Sequence, residues 1–263
     1  MKNKVFSIME IDKRKAFVAI FCAVLLAIIG MGLIACSNTL PVNGSENLEP
    51  RMEVGDIIQL GGSDWRILNE KGGKTLVLSD KVLLKREYHS SRAQVTWEEC
   101  DLRQYLNKEF FDSTFSPEEK KLIVETKVKN NNNPWYGNEI NNGKAGGKDT
   151  KDKVFLLSLE EVVQYFGDNG ELWNKPEGAI YINDGFNEGR IAQTLDGKDW
   201  RWWLRSPGFW YFACGVWHIN ASCVLTSGYL GVYGDYMDSE SCGVRPAMWL
   251  NTTKTKRALA TGT

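Results

Sequence analysis

The stretch "WRWWLRSPGFWYFACGVW" covers residues 200–217 and holds eight aromatic side chains in eighteen positions. It contains five of the chain's ten tryptophans: Trp200, Trp202, Trp203, Trp210 and Trp217. Because each ring buries ~150–250 Å² when it packs, such a concentration indicates a core, a ligand-binding surface, or one followed by the other. The residues within and around the stretch distinguish these interpretations.

The tripeptide Ser206-Pro207-Gly208 divides the stretch. Proline followed by glycine favours a turn, so this tripeptide is predicted to stop a strand. Before it, Trp200, Trp202 and Trp203 are predicted to lie in the core. After it, residues 209–242 mix aromatic, glycine and small polar residues without the period of any one element, a composition that recurs in binding loops.

Two arginines and a further tryptophan flank this segment. Arg205 and Arg245 are predicted to brace buried carbonyls or carboxylates, since a planar guanidinium holds several acceptors at once. Trp249 is predicted to be a core residue. Pro246 predicts that the last strand lies at the edge of a sheet, because proline cannot donate to a strand ladder.

The segment "GDIIQLGGSDWRILNEKGGKTLVLSD", residues 55–80, predicts short strands broken by glycine pairs. Apolar residues at 57–60, 65–68 and 76–78 form the strand cores. Gly72 and Gly73 accept positive φ and predict a hairpin turn.

Three helices are predicted from capping boxes, in which a hydroxyl and a glutamate satisfy free backbone amides. The pairs are Thr96 with Glu99, Ser116 with Glu119, and Ser158 with Glu161. Leu102, Tyr105, Leu106 and Phe110 fall on one face of the first helix, and Gly167 ends the third. A long loop follows the second helix, pinned by Trp135 and Tyr136. The chain is therefore predicted to be α+β with a β-rich, irregular C-terminal half.

The N-terminal segment 1–35 is predicted to be an export signal, because five basic residues precede twenty uncharged ones. It ends in "LIAC", which resembles the lipobox of bacterial lipoproteins and implies acylation, for example with palmitate, at Cys36. An uncleaved membrane anchor is the alternative. A polar linker at 36–52, one domain at 53–250 and a flexible tail at 251–263 complete the predicted organisation.

Charge and residue counts argue against several classes of partner. Without residues 1–35 the chain carries 27 basic and 31 acidic residues, which argues against nucleic acid. With His89 and His218 as the only histidines, no metal site and no cofactor are expected. The sequence leaves open the disulfide pairing of four cysteines: Cys100, Cys214, Cys223 and Cys242.

Residues 54–250 as a whole resemble a family of bacterial domains of unknown function. The landmarks, in chain order, are "GDIIQLGGSDWRIL", "TWEECDLRQYLNKEFF", "FSPEEKKLI", "NPWYG", "DKVFLLSLEEVVQYFG", "WWLRSPG" and "GVRPAMWL". The family is similar to the C-type-lectin-like fold shared by formylglycine-generating enzymes and by the variable proteins of diversity-generating retroelements. In those proteins, adenine-directed rewriting alters codons between an "LRSPG"-like and a "GVRPAL"-like segment.

The resemblance implies that residues 209–242 form a ligand-binding face that a retroelement diversifies. Rewriting an AAC codon at its adenines yields no tryptophan, methionine or glutamate codon. Trp210, Trp217, Met237 and Glu240 therefore argue against diversification of the whole segment.

The resulting hypothesis is a ligand-binding protein, exported and lipid-anchored on the outer side of the bacterial membrane, with a protein or glycan on another cell or host surface as partner. The predicted contact residues are Phe209, Trp210, Tyr211, Phe212, Trp217, His218, Tyr229, Tyr233 and Tyr236. Calcium-mediated binding is not expected, because Asp235, Asp238 and Glu240 are too few oxygen ligands; a solvated acidic turn is the preferred interpretation.

Two alternatives stay open. The first is a cysteine-dependent oxidase, by analogy with formylglycine-generating enzymes, although no catalytic residues are assigned and an enzyme is not expected. The second is a structural surface lipoprotein in which the aromatic run is buried. Solvent exposure of Trp210 and Trp217 distinguishes burial from binding, and thiol reactivity distinguishes the oxidase.

Overall fold

The structure is a computed structural model that describes residues 52–136, 145–214 and 216–261, with the side chains of 211–213 and 216–219 outside the description. These residues fall within one compact unit, Leu48–Thr263. The predicted signal segment, Cys36 and nearly all of the linker lie outside the described residues.

The described strands form two larger sheets and two short hairpins. Their bounds are β1 Ile57–Leu60, β2 Ser63–Lys71, β3 Lys74–Ser79, β4 Leu84–Lys85, β5 Ile123–Val124, β6 Thr126–Val128, β7 Thr150–Asp152, β8 Ala192–Gln193, β9 Asp199–Trp200, β10 Trp202–Ala213, β11 Val216–Val224, β12 Leu230–Tyr236, β13 Gly243–Val244 and β14 Ala247–Asn251. The helices are α1 Asp101–Tyr105, a π-helix Leu106–Phe110, α2 Phe111–Thr114, α3 Pro117–Lys120, α4 Leu159–Phe166, α5 Asn187–Arg190 and α6 Thr252–Thr261. The α+β prediction with a β-rich C-terminal half is confirmed.

The first sheet has the strand order β1-β2-β3-β14-β5. Gly72 and Gly73 join β2 to β3 with φ of 60° and 72°, as predicted for the hairpin turn. β14 pairs with β3 on one side and β5 on the other, so the prediction of an edge strand is wrong. Pro246 lies just before β14, and its carbonyl accepts from the backbone N–H of Ser79 at 2.9 Å, an interaction that does not need the N–H that proline lacks.

The second sheet has the order β12-β11-β10-β13-β4 and contains the aromatic stretch. The predicted turn at Ser206-Pro207-Gly208 is wrong, because β10 continues through it to Ala213. Its register against β11 shifts between Trp203 and Pro207, and again between Pro207 and Trp210. Proline and glycine thus mark β-bulges, which bend a strand without ending it.

Two of the three predicted capping boxes are confirmed. Ser116 and Ser158 each accept from the backbone N–H of a glutamate three residues later, which bonds back to the cap. The box at Thr96 is wrong, since α1 begins after Cys100 with no side-chain cap. The predicted apolar face of that helix is buried at Leu102, Leu106 and Phe110, with Tyr105 half-buried.

The predicted flexible tail is wrong over Thr252–Thr261, which forms α6. Thr255 is buried in it and its hydroxyl donates to the carbonyl of Asn251. An exposed stretch rich in lysine and threonine carried no periodicity that would have predicted this helix.

The core contains the tryptophans that precede the bulges. Trp202 and Trp203 are fully buried, as predicted, and their indole N–H groups donate to backbone carbonyls. Trp200 and Trp249 are only half-buried against this core. Arg245 donates to the carbonyls of Ser79 and Asp80, so its predicted bracing role is confirmed; burial lowers its pKa to about 10.

Candidate functional site

The ladder β10-β11-β12 positions the predicted binding segment. Gly208 lies where β10 comes closest to β12, and a Cβ added there would lie 2.4 Å from the carbonyl oxygen of Tyr233. This close approach brings residues of β10 and β12 onto one surface. The glycine of the "WWLRSPG" motif is therefore explained by packing rather than by a turn.

Trp210 points into the protein. Its side chain is 6% exposed, and its indole N–H donates to the carbonyl of Asn220 at 3.0 Å. The prediction of Trp210 as a displayed contact residue is therefore wrong. The register shifts on either side of Pro207 change which residues of β10 face outward. The sequence alone therefore could not show which aromatic residues after residue 208 are displayed.

Phe209 faces the opposite way and is half-buried in a stack of three rings. Its ring centroid lies 4.7 Å from that of Tyr136 and 5.1 Å from that of Tyr233. Tyr136 comes from the loop after β6 and Tyr233 from β12. Three segments distant in the chain thus build one continuous aromatic surface.

A second aromatic pair extends this surface. Tyr229 stacks on Tyr181 at 5.2 Å between centroids, and the backbone N–H of Tyr233 donates to the carbonyl of Ile180. Tyr181 is 40% exposed and Ile180 is 52% exposed. We call the surface made by Tyr136, Ile180, Tyr181, Phe209, Tyr229 and Tyr233 the aromatic face.

The aromatic face includes residues that sequence analysis missed as contacts. Tyr136 was predicted only to pin its loop, and Ile180 and Tyr181 were not considered. The only sequence signal for the latter two was an aliphatic and an aromatic residue in a segment otherwise rich in glycine, asparagine and charge, residues 167–188.

A buried asparagine holds the loop that carries Tyr136. Asn133 is 1% exposed, and its side-chain amide donates to the carbonyls of Pro207 and Val232 at 2.8 and 3.0 Å. Its Oδ1 accepts from the backbone N–H of Trp135. Asn133, which was not predicted to pin this loop, therefore ties it to both β10 and β12.

A cation lies over the same loop. Lys175 Nζ lies 5.3 Å from the ring centroid of Trp135 and 4.9 Å from that of Tyr136. Burial raises the pKa of Tyr136 to about 12, so its hydroxyl stays protonated at neutral pH. The rim of the aromatic face is thus polar and positively charged at this point.

The remaining predicted contact residues have different outcomes. Tyr236 is half-buried beneath the guanidinium of Arg92, 4.9 Å from the ring centroid. The side chains of Tyr211, Phe212, Trp217 and His218 lie outside the described residues, although the backbone pairs Tyr211 with His218 and Phe212 with Trp217 across β10 and β11.

Two acidic residues make ion pairs: Asp235 near the end of β12 and Asp238 just after that strand. Arg201 donates to Asp235 at 2.7 Å and Arg92 donates to Asp238 at 2.9 Å. The prediction of a solvated acidic turn is therefore wrong for Asp235, which lies in β12 and pairs with Arg201. Asp238 lies in the turn after β12 with its side chain 29% exposed, and Glu240 is exposed. Within the described ranges, no group of three or more histidine, cysteine or acidic side chains is arranged to hold a metal ion.

All four domain cysteines are free thiols. Cys214 is exposed, whereas Cys100, Cys223 and Cys242 are buried. Burial raises the pKa of Cys100 to about 12. Burial and the adjacent Cys223 thiol raise the pKa of Cys242 well above its ordinary value. Since the thiolate is the reactive form, neither buried thiol is activated.

We expect Cys214 to react with iodoacetamide in the folded protein while Cys100, Cys223 and Cys242 react only after unfolding in urea. A pKa of about 12 gives Cys100 a thiolate fraction about a thousandfold below that of an ordinary thiol. Peptide mapping by mass spectrometry assigns each adduct. Modification of Cys242 in the folded state as fast as that of Cys214 would instead favour the oxidase hypothesis.

A comparison with protein families identifies the domain. A family model described as a domain of unknown function, DUF6273, matches residues 72–252. The chain belongs to this family. Searches of curated proteins and of solved structures gave no match.

The DUF6273 match includes all of the aromatic face and both glycine-containing motifs that flank it. It begins at the β2–β3 turn, so β1 and β2 precede it although they belong to the same sheet as β3. Across the part of the chain that the structure describes, no helix has the length and apolar character needed to cross a membrane.

Proposed function

We propose that this DUF6273 protein is an exported, lipid-anchored binding protein whose aromatic face takes a protein or glycan ligand. The observation that carries the proposal is the half-exposed stack of Phe209 between Tyr136 and Tyr233. Stacked rings that remain accessible supply contact area at low entropic cost, because tyrosine and phenylalanine have only two side-chain torsions.

The composition of the aromatic face supports a binding role. A contiguous apolar patch is unusual on a monomeric protein unless it contacts something. Trp173, 63% exposed, lies in the same segment as Ile180 and Tyr181. An aromatic surface with a polar rim, here Lys175, is typical of interfaces that combine apolar contact with oriented hydrogen bonds.

We further propose a C-type-lectin-like fold and a face open to diversification by a retroelement. The supporting observation is that β10 and β11, between the "WWLRSPG" and "GVRPAMWL" motifs, carry outward residues such as Phe209 and inward residues such as Trp210. The inward tryptophan is also a residue that adenine rewriting of AAC codons cannot produce, so it belongs to the constant part.

Sequencing codons 199–250 of this gene across a clonally grown population tests the diversification. We expect substitutions at outward positions of 209–242, including Phe209 and Tyr233, and an unchanged Trp210. Substitutions spread evenly over inward and outward positions would contradict this expectation. A uniform sequence would leave a fixed binding face and would remove diversification from the proposal.

The two alternative hypotheses receive less support. A cysteine-dependent oxidase needs an activated thiolate, and burial raises the pKa values of Cys100 and Cys242. A purely structural role is consistent with the burial of Trp210 but does not explain why Tyr181 and Ile180 are exposed.

Replacing Phe209 and Tyr181 by alanine tests the binding role. If the aromatic face binds glycans, the double variant should lose at least about tenfold in affinity, since central aromatic contacts each contribute on the order of 2 kcal/mol. The full-length chain in nonionic detergent is applied to an array of bacterial and animal glycans, and titration calorimetry with the strongest glycan gives affinities.

Leu195→Ala is the matched control, because Leu195 is an exposed apolar residue in the β8–β9 turn, outside the aromatic face. Equal losses in the control and in the double variant would contradict a site at the aromatic face. Unchanged near-ultraviolet circular dichroism confirms that the variants are folded. Absence of binding to every glycan would remove the glycan form of the proposal.

A further inference from the structure

A cleft of about 500 Å³ lies apart from the aromatic face, between the β2–β3 hairpin, β6 and the start of α4. Five cationic side chains and one half-buried tryptophan are among the residues that line it. We call it the basic cleft; these residues are Lys71, Lys74, Lys127, Lys129, Arg205 and Trp249. Its volume lies within the range of small-molecule sites.

The lysines of the basic cleft are placed against one another. Lys71 and Lys74 are direct cross-strand partners at the end of the β2–β3 hairpin. Lys127 and Lys129 are two residues apart on an extended chain, which places them on the same side. Like charges in such positions repel and destabilise the folded state.

The carboxylates of the basic cleft offset only part of this positive charge. Glu161 is occupied by the guanidinium of Arg205, with Nη2 and Oε1 3.0 Å apart. Glu160 accepts from the side-chain amide of Asn131 at 2.5 Å and makes no ion pair with a described lysine, so its single negative charge offsets one of the lysine charges.

Outside the cleft, Lys127 pairs with Asp149 at 2.9 Å. Within the described residues, Lys71, Lys74 and Lys129 make no ion pair with a carboxylate. An excess of positive charge therefore remains in a concave site, where the field is concentrated.

An apolar surface accompanies the charge. Phe155 and Val128 are buried in the lining, and Trp249 is half-buried beside them. The first turn of α4 also borders the cleft, at Ser158, Glu160 and Glu161. The site thus combines several cations with a flat ring.

We propose that the basic cleft binds a small polyanionic ligand, one that carries two or more phosphate, sulfate or carboxylate groups on a sugar-sized body. The anionic groups pair with Lys71, Lys74 and Lys129, which relieves their mutual repulsion. The body of the ligand packs on Trp249. This site is separate from the aromatic face and does not depend on the function proposed for it.

Titration calorimetry with the full-length chain in nonionic detergent tests the proposal. The probes are a trisulfated heparin disaccharide, inorganic tripolyphosphate and the neutral disaccharide maltose. We expect the sulfated disaccharide to bind and maltose not to bind. Binding of the anionic probe should weaken as salt rises from about 20 to about 200 mM, because added ions screen the lysines.

The double variant Lys74→Gln/Lys129→Gln should bind the sulfated disaccharide at least tenfold more weakly. The control Lys108→Gln/Lys198→Gln removes the same charge from exposed positions outside the cleft and should bind as the unmodified chain does. Stronger binding of the disaccharide than of tripolyphosphate supports a ring contact at Trp249, and equal binding supports recognition of the charges alone. The proposal is overturned if neither anionic probe binds at about 1 mM, if maltose binds equally well, or if the Lys74/Lys129 variant binds as the control does.

Discussion

Replacing Arg205 by alanine should lower the free energy of unfolding by about 3–5 kcal/mol, the range for breaking a buried ion pair by removing one partner. The Arg205 side chain is 3% exposed. It donates to the carbonyls of Leu156 and Lys129 at 2.6 and 3.1 Å and makes two hydrogen bonds to Glu161. Without it, buried acceptors and a carboxylate lose their donors. Urea denaturation followed by tryptophan fluorescence measures the difference.

Two control variants distinguish the effect of losing the hydrogen bonds of Arg205 from the effect of losing its charge. Arg205→Lys keeps the positive charge, but an ammonium group cannot donate to several acceptors in the planar geometry of a guanidinium. Most of the loss in the free energy of unfolding should therefore remain. Arg66→Ala removes an arginine that is 40% exposed and paired with Asp80, and should cost less than about 1 kcal/mol. Similar losses for Arg66→Ala and Arg205→Ala would show that Arg205 does not hold the structure together.

Replacing Trp203 by alanine should also cost about 3–5 kcal/mol, the range for removing a large buried aromatic side chain. Trp203 is fully buried, its indole N–H donates to the carbonyl of Arg86 at 2.9 Å, and its ring packs edge-on against Tyr88 at 5.7 Å. The substitution leaves a cavity and an unpaired carbonyl. Thermal unfolding and urea denaturation measure the loss.

Trp173→Ala is the matched control, because Trp173 is 63% exposed. It should change the free energy of unfolding by less than about 0.5 kcal/mol. A Trp203→Ala variant as stable as Trp173→Ala would contradict the assignment of the tryptophans before the bulges to the core.

Features set by neighbours in the chain could be predicted. The β2–β3 hairpin depends on two glycines that accept positive φ, and the starts of α3 and α4 depend on a hydroxyl and a glutamate three residues apart. These interactions form between residues at most a few positions apart and need no partner from elsewhere in the chain. Burial of Trp202 and Trp203 was also predicted, because their size makes exposure costly.

Features that depend on distant partners could not be predicted. Pro207 and Gly208 have the composition of a turn, but pairing with β11 keeps β10 extended through them. The capping box predicted at Thr96 does not form, because α1 begins after Cys100 instead. A residue's local preference for a turn or a helix start contributes about 1 kcal/mol. It is overridden where hydrogen bonding in a strand ladder or burial in the core contributes more.

The α+β class, the hairpin, two helix starts, the buried tryptophan pair and the bracing arginines could be derived from sequence, since each follows from local backbone chemistry or from the size and charge of one side chain. Which aromatic residues face outward depends on long-range packing. It turned Trp210 inward, brought Tyr136 and Tyr181 beside Phe209 and Tyr233, and gathered four lysines around Trp249. Bulge register and the meeting of segments that are far apart in the chain are set by packing across the whole core, and no short sequence pattern encodes that packing.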